Sequence, residues 1–580
     1  MIRKPSVFTR RVAIVLCVAS IAAYALVLRF LHLFSAGHYY ILSADSYFFN
    51  WQAHKLLSGE SIPMSSYGGL TYPLAYLARA IGIVFRNSSE GALKIVGLVL
   101  PLMLGVVSII VIYLAVSRIY GKRVGLFSAL AWAIVAPAVF IQAAGYLDRD
   151  GLSILLVMTG ALIFPLSSDW HWRVKGLDMG WVKATLAILA VGVLLYLEWS
   201  WLGPFLLLVI LIGALAMEIS VLFCRRLFSD LPQEEDPVAL AFGLLKRLPV
   251  SLADALKRSN WRPVVLIAGL GISVAAARPG LYNEMTGLLW DILAGKEFVA
   301  ELQGISLFDL TVFGFLLIPL LLGLHMLLRS SRRADFLCLG WFVVLFLGGL
   351  FARRLFLYAT PAICIISGVG LARLFEFGPL RLSRANLALA LNDLGEFFSY
   401  AWASAAVLLL SLVVVLGTVS AYHVGSDPRA SADSDWQAAL LYLRDNTSEG
   451  AVIMSWWDQG YWIRDLTDRQ PVVDNGLHWD EADHDVAVAY VTTESSEVVR
   501  IMQKYGADYL IFSKVEYPLL PAITDYALGR AYGDGRSIPK EMKGSIYSRS
   551  LSGDLQSSDG LQRIYPDSGV KAEVVILARG

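Results

Sequence analysis

The sequence predicts a polytopic α-helical membrane protein whose C-terminal part is an α/β domain on the outer side of the bilayer. Three observations carry this. Of the 580 residues, 57 % are hydrophobic and only 16 % charged, against about 25 % charged in soluble domains, and mean hydropathy is +0.61. Apolar runs near the length that crosses a bilayer recur up to about residue 422. Beyond about 424, helix and strand patterns alternate in more polar sequence.

Taken in order, the apolar runs lie near 12–35, 95–117, 124–143, 151–167, 182–198, 201–223, 263–278, 307–328, 335–352, 355–372 and 402–422, with 72–85 and 237–250 marginal. The first follows Arg3, Lys4, Arg10 and Arg11 but lacks the short apolar core and small-residue cleavage site of a signal peptide, so it reads as a retained span. With a cytoplasmic N-terminus, basic residues alternate without a reversal. Arg118, Lys122 and Arg123, then Arg173, Lys175 and Lys183, then Arg329, Arg332 and Arg333 all fall on the inner side. An odd number of spans places residues after 423 outside. Outer loops are expected at 36–93, 143–152 and 279–306, and inner loop 225–262 is amphipathic.

Residues 1–423 therefore read as the transmembrane domain with its outer loops, and 424–580 as the outer α/β domain. There "DPRASADSDWQAALLYLRDN" is a capped helix, "AVIMSWW" a strand entering a loop, "TTESSEVVRIMQKYG" a helix, "ADYLIFS" a strand and "AEVVILA" a closing strand. Cys17, Cys224, Cys338 and Cys364 lie in or beside apolar runs and read as packing. A net charge of +1 names no partner. No internal repeat is visible, which weighs against a transporter.

Asp45 follows the first span in "SADSYFFNW", Asp148 and Asp150 sit in "GYLDRDG", and Glu301 precedes the eighth span. The alternation puts all four on one side. Oxygen-only ligands from several loops suit a hard divalent cation such as Mg²⁺ or Mn²⁺, which can bridge a phosphate or pyrophosphate. Any one of them taken alone is equally an ordinary solvated loop charge. Arg354, in the tight hairpin between two spans, has the planar fork that clamps a phosphate, or it snorkels to the interface. In "SWWDQGYW", indole N–H groups only donate and a carboxylate only accepts. Trp456, Trp457 and Asp458 can thus enclose a hydroxyl, which does both, or else they are interface or core aromatics. Gly460 is expected to let a substrate backbone approach.

"WWDQG" resembles the WWDxG signature of the oligosaccharyltransferase catalytic subunit family, STT3/PglB/AglB. "ADSYFF" resembles that family's first-loop aspartate motif, "GYLDRDG" its second acidic motif, "FVAELQ" its fifth-loop glutamate motif, and "RLFLYATP" the stretch whose arginine faces the lipid pyrophosphate. The resemblance runs from about residue 10 to 515. It implies a GT-C type fold with 11–13 spans and en bloc, inverting transfer of an oligosaccharide from a polyprenyl pyrophosphate to the asparagine amide of Asn-X-Ser/Thr. It implies Asp45 and Glu301 as catalytic residues, with Asp45, Asp148 and Glu301 as metal ligands. Asp150 is then a weak ligand or lies behind them. Trp456, Trp457 and Asp458, with Ile523 as a further candidate, would bind the hydroxyl of the acceptor, and Arg354, Tyr461 and His478 the donor. Implied partners are the lipid-linked glycan, acceptor polypeptides and the bilayer, without nucleic acid, for an enzyme acting as a single subunit in a prokaryotic cytoplasmic membrane.

Gln459 stands where the family usually has Tyr, and Leu355 where it has Phe. Some bacterial members carry an arginine a dozen residues past the fifth-loop glutamate that reads an acid two positions before the acceptor Asn. "ISLFDLTVFGF" contains none. Paired peptides with and without that acid are therefore expected to be glycosylated at similar rates. "NSS" at 87–89 and "NTS" at 446–448 are possible acceptor sites in the chain itself. Two further classes remain open at this point: a transferase moving one sugar from a lipid monophosphate, which shares first-loop acids but not WWDxG, and a flippase of lipid-linked sugars.

Overall fold

The computed structural model describes residues 7–30, 44–61, 68–85, 88–168, 173–174, 177–178, 203–228, 250–251, 311, 313–330, 332–377, 394–425, 432–476, 481–530, 539–555, 560–566 and 572–580. The predicted spans 182–198 and 263–278, the loop 279–306 and most of 225–262 lie outside them.

The helical part comprises α1 (Val7–Phe30), α2 (Ala44–Leu57), α3 (Gly68–Phe85), α4 (Ser89–Tyr120), α5 (Lys122–Ile134), α6 (Ala136–Phe140), α7 (Arg149–Ser168), α8 (Gly203–Phe228), α9 (Leu317–Arg329), α10 (Arg333–Gly349), α11 (Arg353–Phe377) and α12 (Leu394–Gly425). A short antiparallel hairpin, β1 (Arg173–Val174) and β2 (Leu177–Asp178), follows α7. Among the described residues, Arg11–Phe30, Gly91–Tyr120, Arg353–Phe375 and Ser404–Tyr422 are long and apolar enough to cross a membrane. Leu70–Phe85, Val209–Cys224, Gly314–Arg329 and Ala334–Gly349 are shorter apolar helices. The span within α11 is 83 % buried and that of α1 only 11 %, so α11 runs through the middle of the bundle. Its core is Trp132, Trp341, Tyr358, Ile363 and their neighbours, while Val15, Leu16 and Leu408 remain on the outside.

The predicted span 124–143 is broken. Val135 is extended (φ −74°, ψ 126°) and α6 restarts with Pro137 in its first turn. Proline removes an N–H donor and crowds the preceding turn. The carbonyls of Ala133 and Ala138 accept instead from the Arg29 guanidinium at 3.2 and 3.3 Å. Within the predicted span 307–328, a 3-10 turn at Gly314–Leu316 leads into the α-helix Leu317–Arg329, while residues 307–310 and 312 lie outside the described residues. The marginal stretch 72–85 is helical, within α3.

The C-terminal part alternates helices and strands: α13 (Ser434–Asn446), β3 (Val452–Met454), α14 (Gly460–Thr467), β4 (Gln470–Pro471), α15 (Glu481–Val491), α16 (Ser495–Lys504), β5 (Tyr509–Ser513), α17 (Leu520–Ala527), α18 (Ile546–Ser552), β6 (Leu561–Tyr565) and β7 (Val574–Arg579). Asp433 caps α13 by accepting from the N–H groups of Asp435 and Trp436, which satisfies donors a helix start leaves open. The sheet order is β4-β3-β5-β7-β6. β3 is parallel to β4 and β5, and β7 is antiparallel to β5 and β6.

Strand side chains alternate between faces, and here they sort into two cores. Met454, Leu510, Phe512, Val575 and Leu577 pack with Val486, Tyr490, Ile501 and Tyr547. Ile453, Ile511, Val574 and Ile576 pack with Trp436, Leu440 and Trp462. Both faces are covered, as the near-continuous apolar strands require. The "WWDQG" turn leaves the carboxyl end of β3, the edge at which open α/β sheets bind ligands.

Candidate active site

The candidate residues form two groups, one in the helical bundle and one in the α/β domain, on elements linked by the packing of α2 on α14. The first is acidic. Asp45 lies in the first turn of α2 and is half-buried. Asp148 and Asp150, 7 % and 6 % exposed, flank the start of α7. The Asp148 Oδ1 accepts from the Asp150 N–H at 3.4 Å. Arg354, in the first turn of α11, donates to both Asp150 oxygens at 3.2 Å, and Tyr358 donates its Oη to Oδ1 at 3.2 Å. Asp150 therefore stands between Asp148 and Arg354.

Burial pushes the Asp148 carboxyl well above the usual carboxylate range. Asp150 and Asp45 push it the same way, against Arg354 and Arg149. Like charges brought together out of water favour a proton or a cation among them. Carboxylate oxygens are the donor type for Mg²⁺ or Mn²⁺, so the chemistry of Asp45 and Asp148 is compatible with the expected ion. Among the described residues no three Asp, Glu, His or Cys side chains form a metal-holding group by themselves. Glu301, the third predicted ligand, and His478 lie outside the described residues.

The loop carrying Asp148 is fastened to the bundle. Gly145 turns it in the left-handed region (φ 79°), which glycine adopts without penalty. The Ala144 N–H donates to the Arg29 carbonyl at 2.9 Å. The Arg29 guanidinium donates to Gln142 Oε1 at 3.1 Å, and Gln142 Nε2 to Ser108 Oγ at 2.9 Å. Arg29 is 1 % exposed. The sequence reading passed over it, although an arginine inside an apolar run is itself a signal.

The second group surrounds the tryptophans. Trp456 and Trp457 are 2 % and 7 % exposed, with ring centroids 3.6 Å apart. The Trp456 N–H donates to Tyr490 Oη at 3.0 Å, and Tyr490 Oη lies 3.4 Å from the Ile511 carbonyl it donates to. Trp457 meets the edge of Tyr526 at 6.1 Å. Asp458 begins the next turn and is half-buried. Ile523, on α17, is fully buried in the same apolar cluster as both tryptophans. Tyr461 is 5 % exposed and packs on Phe48 of α2 at 4.6 Å.

The expectation for Gly460 is corrected. A Cβ there would lie 2.5 Å from the Asp474 Cα and from the Val473 carbonyl. The close approach that requires glycine is made by the chain's own return segment, at an ordinary φ of −56°.

Glu516 was also missed. It is fully buried and forms a capping box with Ser513, whose N–H and Oγ both donate to Glu516 Oε2, at 3.0 and 2.8 Å. Its Ser-x-x-Glu spacing was legible. Burial raises its carboxyl from 4.5 to about 8, and Asp458 adds to the rise. The folded chain thus holds a proton that the unfolded chain releases near 4.5. The stability this contributes is complete below that pH and is lost as pH rises through about 8. A Glu516→Gln variant is expected to lose less melting temperature than the parent between about pH 5 and about pH 8. Parallel thermal melts across that range check this.

Comparison with known proteins completes the description. Residues 449–517 match the model of the STT3/PglB/AglB core domain. The dolichyl-phosphooligosaccharide-protein glycotransferase 1 of Pyrococcus horikoshii is 22 % identical, with 84 % of this chain and 54 % of that protein aligned. The glycotransferase 2 of Pyrococcus furiosus is 23 % identical, over 84 % of this chain and 69 % of that protein. The chain thus spans about half to two-thirds of the length of these relatives. Among solved structures, the Archaeoglobus fulgidus oligosaccharyltransferase AglB in complex with an inhibitory peptide and a dolichol-phosphate superposes with TM-score 0.69 at 15 % identity, covering 97 % of this chain and 80 % of that one. Its apo form gives 0.70 at 16 %, covering 95 % and 79 %. The fold is that of these helical membrane enzymes.

Proposed function

We propose, from the premise that this chain carries an STT3/PglB/AglB core domain, that it is the catalytic subunit of an oligosaccharyltransferase. It transfers a glycan en bloc from a polyprenyl pyrophosphate to the asparagine side chain of Asn-X-Ser/Thr. The observation that carries the reading is the packing of α2, which bears Asp45, against α14, which follows the "WWDQG" turn, through Phe48 on Tyr461 at 4.6 Å and Tyr47 on Trp462 at 6.1 Å. An acid site and a hydroxyl-binding site then face one substrate.

An amide nitrogen is a poor nucleophile because its lone pair is delocalised into the carbonyl. In this reading the carboxylates of Asp45 and Glu301 accept from the acceptor's amide N–H groups and weaken that conjugation. Trp456, Trp457 and Asp458 hold the Ser or Thr hydroxyl, with Ile523 beneath, and so fix the amide for attack. Asp45, Asp148 and Glu301 would hold Mn²⁺ or Mg²⁺, which would supply positive charge to neutralise that growing on the pyrophosphate. Asp150 sits behind Asp148 and keeps Arg354 at the site. Arg354 turns from Asp150 to the phosphates when donor enters, with Tyr461 and His478 nearby. Attack from the face opposite the leaving group inverts the sugar carbon.

The chain works as a single subunit in a prokaryotic cytoplasmic membrane, its N-terminus cytoplasmic and the α/β domain outside. The test is an in vitro assay with lipid-linked glycan and an Asn-X-Thr peptide, with and without EDTA. Transfer that is lost with EDTA and restored by Mn²⁺ supports the reading. Unchanged peptide mass with every pyrophosphate donor, or addition of a single sugar from a monophosphate donor, refutes it.

A further inference from the structure

The contact between α2 and α14 has more content than two aromatic pairs. Asn50 Nδ2 donates to both carboxylate oxygens of Asp465, at 2.8 and 3.1 Å. The Arg464 guanidinium lies over the Trp51 ring at 5.5 Å and pairs with Asp474 at 2.9 Å. Trp51 Nε1 donates to Asp468 Oδ1 at 3.4 Å, and Lys55 pairs with Asp468 at 3.2 Å. Asp468 ends α14 in the left-handed region (φ 55°), the conformation in which its carboxylate meets α2.

Residues 47 and 48 meet 461 and 462, residues 50 and 51 meet 464 and 465, and residue 55 meets 468. The steps match one helical turn on each side, so the two helices run in the same direction. Their N-terminal ends therefore lie together. Asp45 is at the start of α2, and Asp458 is two residues before the start of α14.

We propose that the α2–α14 seam sets the register between the acid side of the site and the hydroxyl-binding side, with Asn50 and Asp465 as its positioning residues. This rests on the functional reading above. A shift of one turn along the seam would carry Asp45 away from an amide held by Asp458, and the polar pairs at the middle and far end oppose such a slip. Aromatic packing alone tolerates sliding, whereas a carboxylate matched to one amide group does not.

The Asp465 carboxyl has its own pH response. Its surroundings raise it from 3.8 to about 7 by burial, against the Asn50 hydrogen bond and the charge of Lys94 on α4. The other charged groups at the seam, Arg464, Lys55, Glu60 and Asp468, are engaged with Asp474, with each other and with Trp51. The seam is thus most stable with Asp465 protonated and weakens as pH rises through about 7.

The experiment uses the purified full chain with four variants: Asn50→Leu, Asp465→Leu, the double variant and Asp465→Asn. Melting and transfer kinetics with an Asn-X-Thr peptide are measured for each. Asn50→Leu is expected to raise the acceptor KM roughly ten-fold near pH 8, where Asp465 is ionised, the size of a lost hydrogen bond to a charge. The double variant is expected to recover part of this, because the unpaired carboxylate is gone. Asp465→Asn, which stays neutral at every pH and keeps one of the two acceptor oxygens for Asn50, is expected to match the parent near pH 6 and to exceed it increasingly toward about pH 8. Variants that lower the melting temperature but leave KM, kcat and pH profile parental overturn the proposal, since the seam would then be packing only. If Asn50→Leu fails to fold, Asp465→Asn still decides, because a pH profile identical to the parent's overturns it. No transfer by the parent itself refutes the underlying function instead, so the two failures are distinct.

Discussion

An Asp45→Ala chain is expected to transfer glycan at least about a hundred-fold more slowly than the parent, with the loss in kcat and little change in acceptor KM. The reason is that one carboxylate serves two needs in the proposed reaction. It would accept from the acceptor amide, and it would be one of the carboxylates able to hold a divalent ion. Asp148 cannot take over, because it sits on a different element, beside the start of α7, where burial and the like charge of Asp150 still push its carboxyl up in the variant. The fold should survive the change. Asp45 sits at the open first turn of α2, while that helix is held by Asn50, Trp51 and Lys55 further along. Melting curves and initial rates with saturating donor separate the outcomes. A folded Asp45→Ala chain that transfers at the parental rate would remove the acid site from the mechanism.

Replacing Asp458 with alanine is expected to lower kcat/KM for an Asn-X-Thr peptide roughly a hundred-fold and to abolish discrimination against Asn-X-Ala. A pocket built to hydrogen-bond a hydroxyl rejects the analogue that lacks one because its own polar groups would go unpaired. Without the carboxylate, the indole donors remain but nothing accepts the hydroxyl proton. Trp456 stays in place through its backbone bond to Tyr490, so the loss is read as chemistry and not as collapse. Kinetics with the Thr, Ser and Ala peptides on both chains give the answer. Retained preference for Thr over Ala in the variant would show that the hydroxyl is read elsewhere.

The local features were legible because each depends on neighbours in sequence. The Asp433 cap, the alternation that sorts Ile511 and Phe512 to opposite faces, and the helix at Ser495–Lys504 follow from spacing alone. The span near 124–143 misled because hydropathy counts apolar residues and overlooks what Pro137 does to the backbone. Gly460 misled because a glycine in a motif looks like room for a substrate, whereas the neighbour it accommodates is Asp474.

By itself the amino-acid sequence determined that the chain is a helical membrane protein with a C-terminal α/β part, which acids and aromatics are chemically equipped to act, and where "WWDQG" lies. Those properties reside in composition, period and rare residue combinations. Only the tertiary structure decided that Arg354 is engaged by Asp150, 204 positions away, and that Asn50 meets Asp465, 415 positions away. Contacts at such separations are selected by how helices and sheet pack as solid bodies, and no local pattern records which polar group will meet which. The register of α2 on α14 is a property of that packing.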